Sequence, residues 1–157
     1  MEKLRLRLLN DEDVELFAKW VQKDHVAKWY EQPMDWIDEI NKRHSEFNWL
    51  HHYIVAYDDK DIGFCQYYEY KQSGEEWHGD IEINGTYSID YLIGDTEYLR
   101  KGFGKAIVKK LMEMIIAEPN AERIIVEPDP DNAASCNTLL SAGFKYDEAN
   151  KLYLFVI

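Results

Sequence analysis

The sequence predicts a single α+β domain built on a mixed sheet. Three observations carry that reading. Strand-like and helix-like segments interleave along the whole chain, and no repeat, low-complexity tract or linker divides it. With 157 residues, of which 46% are hydrophobic and 14% aromatic, the chain can bury one sizeable core. The expected domain spans residues 1–157.

The elements follow in order. Lys3 to Leu9 alternates basic residues with leucines, the pattern of a half-buried strand. Asn10-Asp11-Glu12-Asp13 supplies an N-cap and an acidic first turn for a helix through about Val21. Lys23 to Gln32 reads as a loop or short helical piece, and Pro33 opens a second helix running to about Phe47. Trp20, Trp29, Trp36 and Trp49 lie in this half, suited to core packing or to flooring a cleft. His52–Tyr57 and Ile62–Tyr70 form a hairpin around Asp58-Asp59-Lys60-Asp61, and a polar loop from Lys71 to Gly85 follows. Thr86–Ile93 is a strand rich in β-branched and aromatic residues. A helix is expected from about Gly102 to Ala117, with Phe103, Ile107, Leu111, Met114 and Ile115 facing inward. Glu122–Glu127 is another strand, Ala133–Ser141 a short helix closed by Gly143, and Phe144–Tyr146 with Leu152–Val156 a last strand pair.

The stretch from Ile89 to Lys105 organises the chain. Its helix opens at Gly102 and Gly104, where free N–H groups converge and no Cβ blocks a bulky anion. Five basic residues and no acidic one lie between Arg100 and Lys110, although the net charge is −12. Such an island suits a pyrophosphate; a solvated lysine face is the alternative. Within the preceding strand, Asp90 interrupts an apolar run. Burial there would raise its pKa and make it a better base; an outward-facing strand acid is the other possibility.

Composition excludes several classes. The acidity disfavours nucleic acid and anionic membranes as partners and is compatible with a cationic substrate. No apolar run reaches the roughly 20 residues of a membrane span. Cys65 and Cys136 stand far apart without metal-type spacing, fitting a reducing cytoplasm, and the five histidines form no ligand pattern, so no metal is expected. Neither cysteine has a context favouring a covalent nucleophile.

Lys101-Gly102-Phe103-Gly104 opening a helix, followed by Asn132 and then Ala142-Gly143-Phe144, resembles the GNAT superfamily of acetyl-CoA-dependent N-acetyltransferases. The resemblance covers nearly the whole chain and implies a GNAT-like α+β fold, its mixed, mostly antiparallel sheet flanked by about four helices. Within the superfamily the chain is most similar to the aminoglycoside 6′-N-acetyltransferases. Ile62-Gly63-Phe64-Cys65-Gln66 resembles their cleft-entering segment, and the loop through Glu75, Glu76 and Trp77 their acidic, tryptophan-bearing loop. Ser88-Ile89-Asp90 matches their Gly-Ile-Asp, and Glu127-Pro128-Asp129-Pro130-Asp131-Asn132 their Asp-Pro-Ser-Pro-Ser-Asn.

The resemblance implies that acetyl-CoA is the cosubstrate and that Asp90 serves the reacting amine. Tyr91, Leu92 and Ile93 would pair with the pantetheine arm. Arg100, Lys101, Gly102, Phe103, Gly104 and Lys105, with Asn132 and Asn137, would hold the rest of the cofactor. Glu75, Trp77, Asp90 and Glu127 would receive a cationic small-molecule amine, best matched by an aminoglycoside-like aminosugar in an antibiotic-resistance setting. Alternatives are a siderophore or amino-acid-derived amine or hydroxylamine, and a non-catalytic acyl-CoA-binding module. Monomer and homodimer both stay open. The sequence departs from the family at two places: Leu99 stands where Arg or Gln is common, and Leu139 replaces the tyrosine that commonly protonates the leaving thiolate. Tyr146, or a water near Asn137, is the expected substitute.

Overall fold

The computed structural model describes residues 1–157. Strand β1 (Leu4–Leu8) leads through a short 3₁₀ turn into α1 (Val14–Val21), α2 (Asp24–Ala27) and α3 (Pro33–Asn41). The hairpin β2 (His51–Tyr57) and β3 (Lys60–Glu69) is followed by β4 (Thr86–Ile93) and α4 (Phe103–Ile116). The chain ends with β5 (Arg123–Val126), α5 (Ala133–Ser141), β6 (Lys145–Asp147) and β7 (Leu152–Val156). The seven strands form one sheet in the order β1-β2-β3-β4-β5-β7-β6, with every pairing antiparallel except β4 with β5. The mixed sheet and α+β class agree with the sequence reading, with five helices rather than about four.

Alternation along the strands divides the core in two. On one face Tyr87 and Ile89 of β4 pack with Ile107, Val108, Leu111 and Ile115 of α4. On the other, Ile54, Phe64 and Leu92 meet Phe17, Trp20 and Val21 of α1 and Ile40 of α3. Trp20 is therefore a core residue; its ring lies so close over Gly94 that a Cβ there would sit 2.2 Å from it. Helix α4 buries Val108 and Met112 as well as the expected positions, while Met114 lies only at the flank.

Two boundaries differ from the sequence reading. The expected helix to Phe47 stops at Asn41, where Lys42 N–H returns to Asp38 and the Arg43 guanidinium donates to the Ile40 carbonyl at 2.8 Å. Residues 42–50, which include His44, Ser45 and Asn48, form turns instead. The β2–β3 turn is tighter than expected: Asp58 and Asp59 take φ of +48° and +67°, and β3 resumes at Lys60. Aspartate tolerates that left-handed conformation, as a two-residue hairpin turn requires.

Candidate active site

The site begins where the sheet opens. Strands β4 and β5 pair only through Thr86–Arg123 and Tyr87–Ile124, whereas β3 accompanies β4 to Ile93. Beyond Tyr87 one edge of β4 thus has no strand beside it. Backbone groups alternate between the two edges of a strand. Gly94 N–H bonds to Ile62 on the β3 side, while Tyr91 and Ile93 turn the other way. Leu92 between them faces β3 with its backbone and the core with its side chain, so it stands outside the open row.

Side chains from the α2 region cover that row. The Tyr30 hydroxyl donates to the Tyr91 carbonyl and accepts from Tyr91 N–H at 3.2 Å. His25 Nε2 lies 2.8 Å from the Ile93 carbonyl oxygen.

Beside the row lies a cavity of about 410 Å³. Asp90, Glu75, Glu127 and Glu39 bring carboxylates to it, and Trp29, Tyr30, Trp36, Trp49, Tyr68 and Trp77 give it aromatic walls. Asp90 projects on the α3 side of the sheet, partly open to the cavity. Burial pushes its pKa up to about 7; the hydrogen bond from Gln66 Nε2 at 2.8 Å opposes this, and Glu39 and Glu75 reinforce it. Glu39 is also raised to about 7, by burial and then by Asp35, Glu75 and Asp38. Glu127 shifts upward through burial and the charge of Glu75. Several carboxylates crowded in one partly dry space lack cations of their own, so a ligand cation would lower their energy.

The neighbouring residue points the opposite way. Tyr91 sends its phenol towards α5, where the hydroxyl sits 2.9 Å from Ser135 Oγ. Asn132 caps α5 by accepting from Ser135 N–H at 3.1 Å. The N-terminus of α4 stands across this gap. Gly102 is its N-cap at φ +85°, a conformation that favours glycine. A Cβ on Gly104 would meet only Thr138 at 3.5 Å and the Tyr91 ring at 3.9 Å, ordinary contacts. Nothing within the chain demands glycine there, so the space is available to a ligand chain. No acidic side chain lies in the first turn of α4, and its amides before Ala106 have no intrahelical carbonyl to meet. Open backbone edge, roomy Gly104 and uncovered helix terminus fit a long, thin, anion-bearing molecule.

A family model described as an acetyltransferase (GNAT) domain matches residues 10–152. The chain belongs to the GNAT acetyltransferase family. It is an enzyme that uses acetyl-CoA as its acetyl donor. It is 24% identical over 150 residues to the aminoglycoside N(6′)-acetyltransferase type 1 of Klebsiella pneumoniae, covering 92% of this chain and 75% of that protein. It is 26% identical over 152 residues to the lysine N-acyltransferase MbtK of Mycobacterium tuberculosis, covering 90% and 68%. The crystal structure of aminoglycoside acetyltransferase AAC(6′)-Ib in complex with coenzyme A superposes with a TM-score of 0.84 at 22% identity, covering 98% of this chain and 94% of that one.

In this acetyltransferase all four expected substrate residues, Glu75, Trp77, Asp90 and Glu127, line the one cavity, together with Tyr91 and Asn132. Trp77 also donates its indole N–H to Glu75 at 2.7 Å, which ties the loop acid in place. Arg100, Lys101, Gly102, Gly104 and Lys105 gather at the α4 terminus. The Phe103 side chain instead packs in the core against Tyr57 and Tyr98, and only its amide stands at the helix start. Asn137 lines a second cavity with Tyr146 and Tyr153, which shares with that of Asp90 only the wall of Glu127, Pro128 and Asp129. Leu139 is fully buried in the core. Sequence reasoning placed Gln66 only in a cleft-entering segment, without a role, and did not single out Tyr30, Glu39 or Tyr68. Two of these had signals: Trp36 and Glu39 stand three apart on one helix face, and Gln66 lies in the strand that the hairpin sets beside Asp90.

Proposed function

We propose that this acetyltransferase modifies a primary amine of a cationic, aminoglycoside-like small molecule. The observation that carries the reading is Asp90, a carboxyl group with a pKa of about 7 in a cavity shared with five further carboxylates and seven aromatic rings. A polyamine would find its charges matched there, and the aromatic faces add cation–π attraction.

Acetyl-CoA, when bound, supplies the acetyl group as a thioester. Asp90 in its ionised form holds the substrate ammonium and takes one proton from it, leaving a nitrogen lone pair free to attack. Tyr91 N–H, released from Tyr30, is the donor suited to the carbonyl oxygen where charge develops. The proton for the departing thiolate is assigned to Tyr91, whose phenol borders the gap between β4 and α5. Its bond with Ser135 offers a route for replacing that proton with the second one, which the acetylated nitrogen sheds as the amide forms; the first leaves Asp90 for solvent. Catalysis then rests on positioning and proton transfer, with no covalent enzyme intermediate.

The similarity to a lysine N-acyltransferase favours a second reading, an amino-acid-derived amine such as a siderophore precursor. Thiol release measured over a panel of aminoglycosides, linear polyamines, lysine and hydroxylamines tests both. Turnover fastest with an aminoglycoside supports the first; turnover confined to lysine or a hydroxylamine replaces it with the second.

A further inference from the structure

Three polar side chains form a row across the sheet on the Asp90 side. His52 of β2 is in register with Gln66 of β3, and Gln66 is in register with Asp90 of β4. Cross-strand partners in register share a face and stand side by side. His52 and Gln66 are almost wholly buried, at 4% and 2% exposure. Gln66 spends its amide donor on Asp90 Oδ2 at 2.8 Å. Gln66 Oε1 and both ring nitrogens of His52 have no aligned partner in this conformation. Buried polar atoms are seldom left so.

The unpaired atoms match one another. An ionised Asp90 needs a donor, which turns Gln66 Oε1 away from it and towards β2. A small rotation of His52 would place a ring N–H on that oxygen. The charges of Arg43 and His51 act on His52, although His51 lies on the other sheet face against Tyr67, and the Phe64 ring lies 5.8 Å from His52. Burial, then the Arg43 charge, lowers the His52 pKa to about 4, although Gln66 opposes this. The ring is therefore neutral at working pH and carries one N–H. Asp90 is faced in turn by Gln66 and Tyr68 of β3, Glu39 of α3, Glu75 of the following loop and Tyr30. None of these except Gln66 donates to it in the structure.

We propose that Gln66 and His52 are positioning residues for Asp90: His52 N–H holds Gln66 Oε1, and the amide so fixed keeps Nε2–H on the carboxylate and tunes its readiness to take a proton. The inference deepens the role proposed for Asp90 and rests on it for its catalytic meaning. An amide free to turn over would present its oxygen to the carboxylate for part of the time, repelling the ionised form. His52 thus acts on Asp90 only through Gln66.

The test titrates the Asp90 carboxyl carbon by NMR in the intact protein without ligands. Gln66→Met, similar in size and without a donor, is expected to move the Asp90 midpoint upward by about one pH unit. His52→Leu should move it in the same direction by a smaller amount, and His52→Gln, which keeps a donor, should restore it. The double variant should titrate as Gln66→Met alone, the non-additivity expected of groups acting in series. An unmoved midpoint in His52→Leu, or an equal shift by His52→Leu with Met at position 66, overturns the relay. Ring nitrogen shifts of the unaltered protein give a check independent of any variant: one fixed neutral tautomer of His52 is expected, and averaging tautomers overturn the proposal. The acidic limb of kcat/KM should follow the NMR midpoint. Should the midpoint move while that limb stays, the relay holds and the proton-accepting role of Asp90 fails.

Discussion

The Tyr30 hydroxyl closes on both backbone groups of Tyr91, donating to the carbonyl and accepting from the N–H. The bonds that an acetyl donor would make at the splayed edge of β4 are already made by a side chain. Tyr30→Phe removes this competitor and is expected to tighten acetyl-CoA binding about threefold to tenfold, since a net hydrogen bond is worth about 0.5–1.5 kcal/mol. Calorimetric titration checks it, and weaker binding would mean that Tyr30 belongs to the cofactor site.

Asp90→Asn keeps size and most hydrogen bonding but removes basicity. The kcat/KM for the amine should fall by about a hundredfold near neutral pH, within the range of general-base effects, with acetyl-CoA affinity unchanged within about threefold. The deficit should shrink as pH rises towards the amine's own pKa. A deficit carried by KM and constant with pH would assign Asp90 to substrate positioning alone.

The same substitution has a signature in stability. The Asp90 pKa is raised from 3.8 in the unfolded chain to about 7 in the fold, so the native state binds the extra proton. Native stability is therefore undiminished below pH 3.8 and declines as pH climbs from there to about 7. Each tenfold change in proton affinity is worth about 1.4 kcal/mol, and water in the cavity moderates the total. Asp90→Asn should stabilise the ligand-free protein by roughly 2 kcal/mol at pH 8 and by nothing at pH 4. Denaturant unfolding at the two pH values decides; an equal effect at both would contradict the raised pKa.

The β4–α4 unit and the out-of-place acid Asp90 were legible because each is local, and the family resemblance singled out Glu75, Trp77 and Glu127, which share the Asp90 cavity. The covering of β4 was not legible. Tyr30 and His25 sit in a segment without strong periodicity, and their contacts with Tyr91 and Ile93 span 61 and 68 residues. Such pairings follow from how α2 lies on the sheet, which no short window records. Leu92 shows the opposite limit. The family resemblance groups it with Tyr91 and Ile93, but strand alternation turns its backbone the other way.

Gly104 separates folding from binding. Its backbone is helical and a Cβ there meets nothing closer than 3.5 Å. Gly104→Ala should therefore stabilise the fold by about 0.5–1 kcal/mol through helix propensity. Gly104→Val fills more of the gap and should raise the acetyl-CoA dissociation constant tenfold or more. Thermal unfolding and binding measured on the same variants check both, and unaltered affinity in Gly104→Val would move the cofactor elsewhere.

Tyr91→Phe addresses the leaving group. Loss of the phenol should lower kcat with little change in amine KM, and the loss should be smaller for a donor whose thiol is more acidic. A variant with full activity would leave Ser135 or a solvent molecule as the proton source.

Asp90 and Tyr91 are adjacent in the chain yet serve opposite faces of one strand, so the two halves of the reaction draw on different stretches of polypeptide. On the proposed reading, residues before β2, the loop after β3 and Glu127 would enclose the amine, while α4 and α5 would enclose the donor. Apart from Tyr30 and His25, which meet the β4 backbone, mutations in the first group are expected to alter which amine is accepted without touching the second. Acceptor preference should therefore be exchangeable by grafting residues 31–39 and 70–77 from a relative, with acetyl-CoA affinity unchanged.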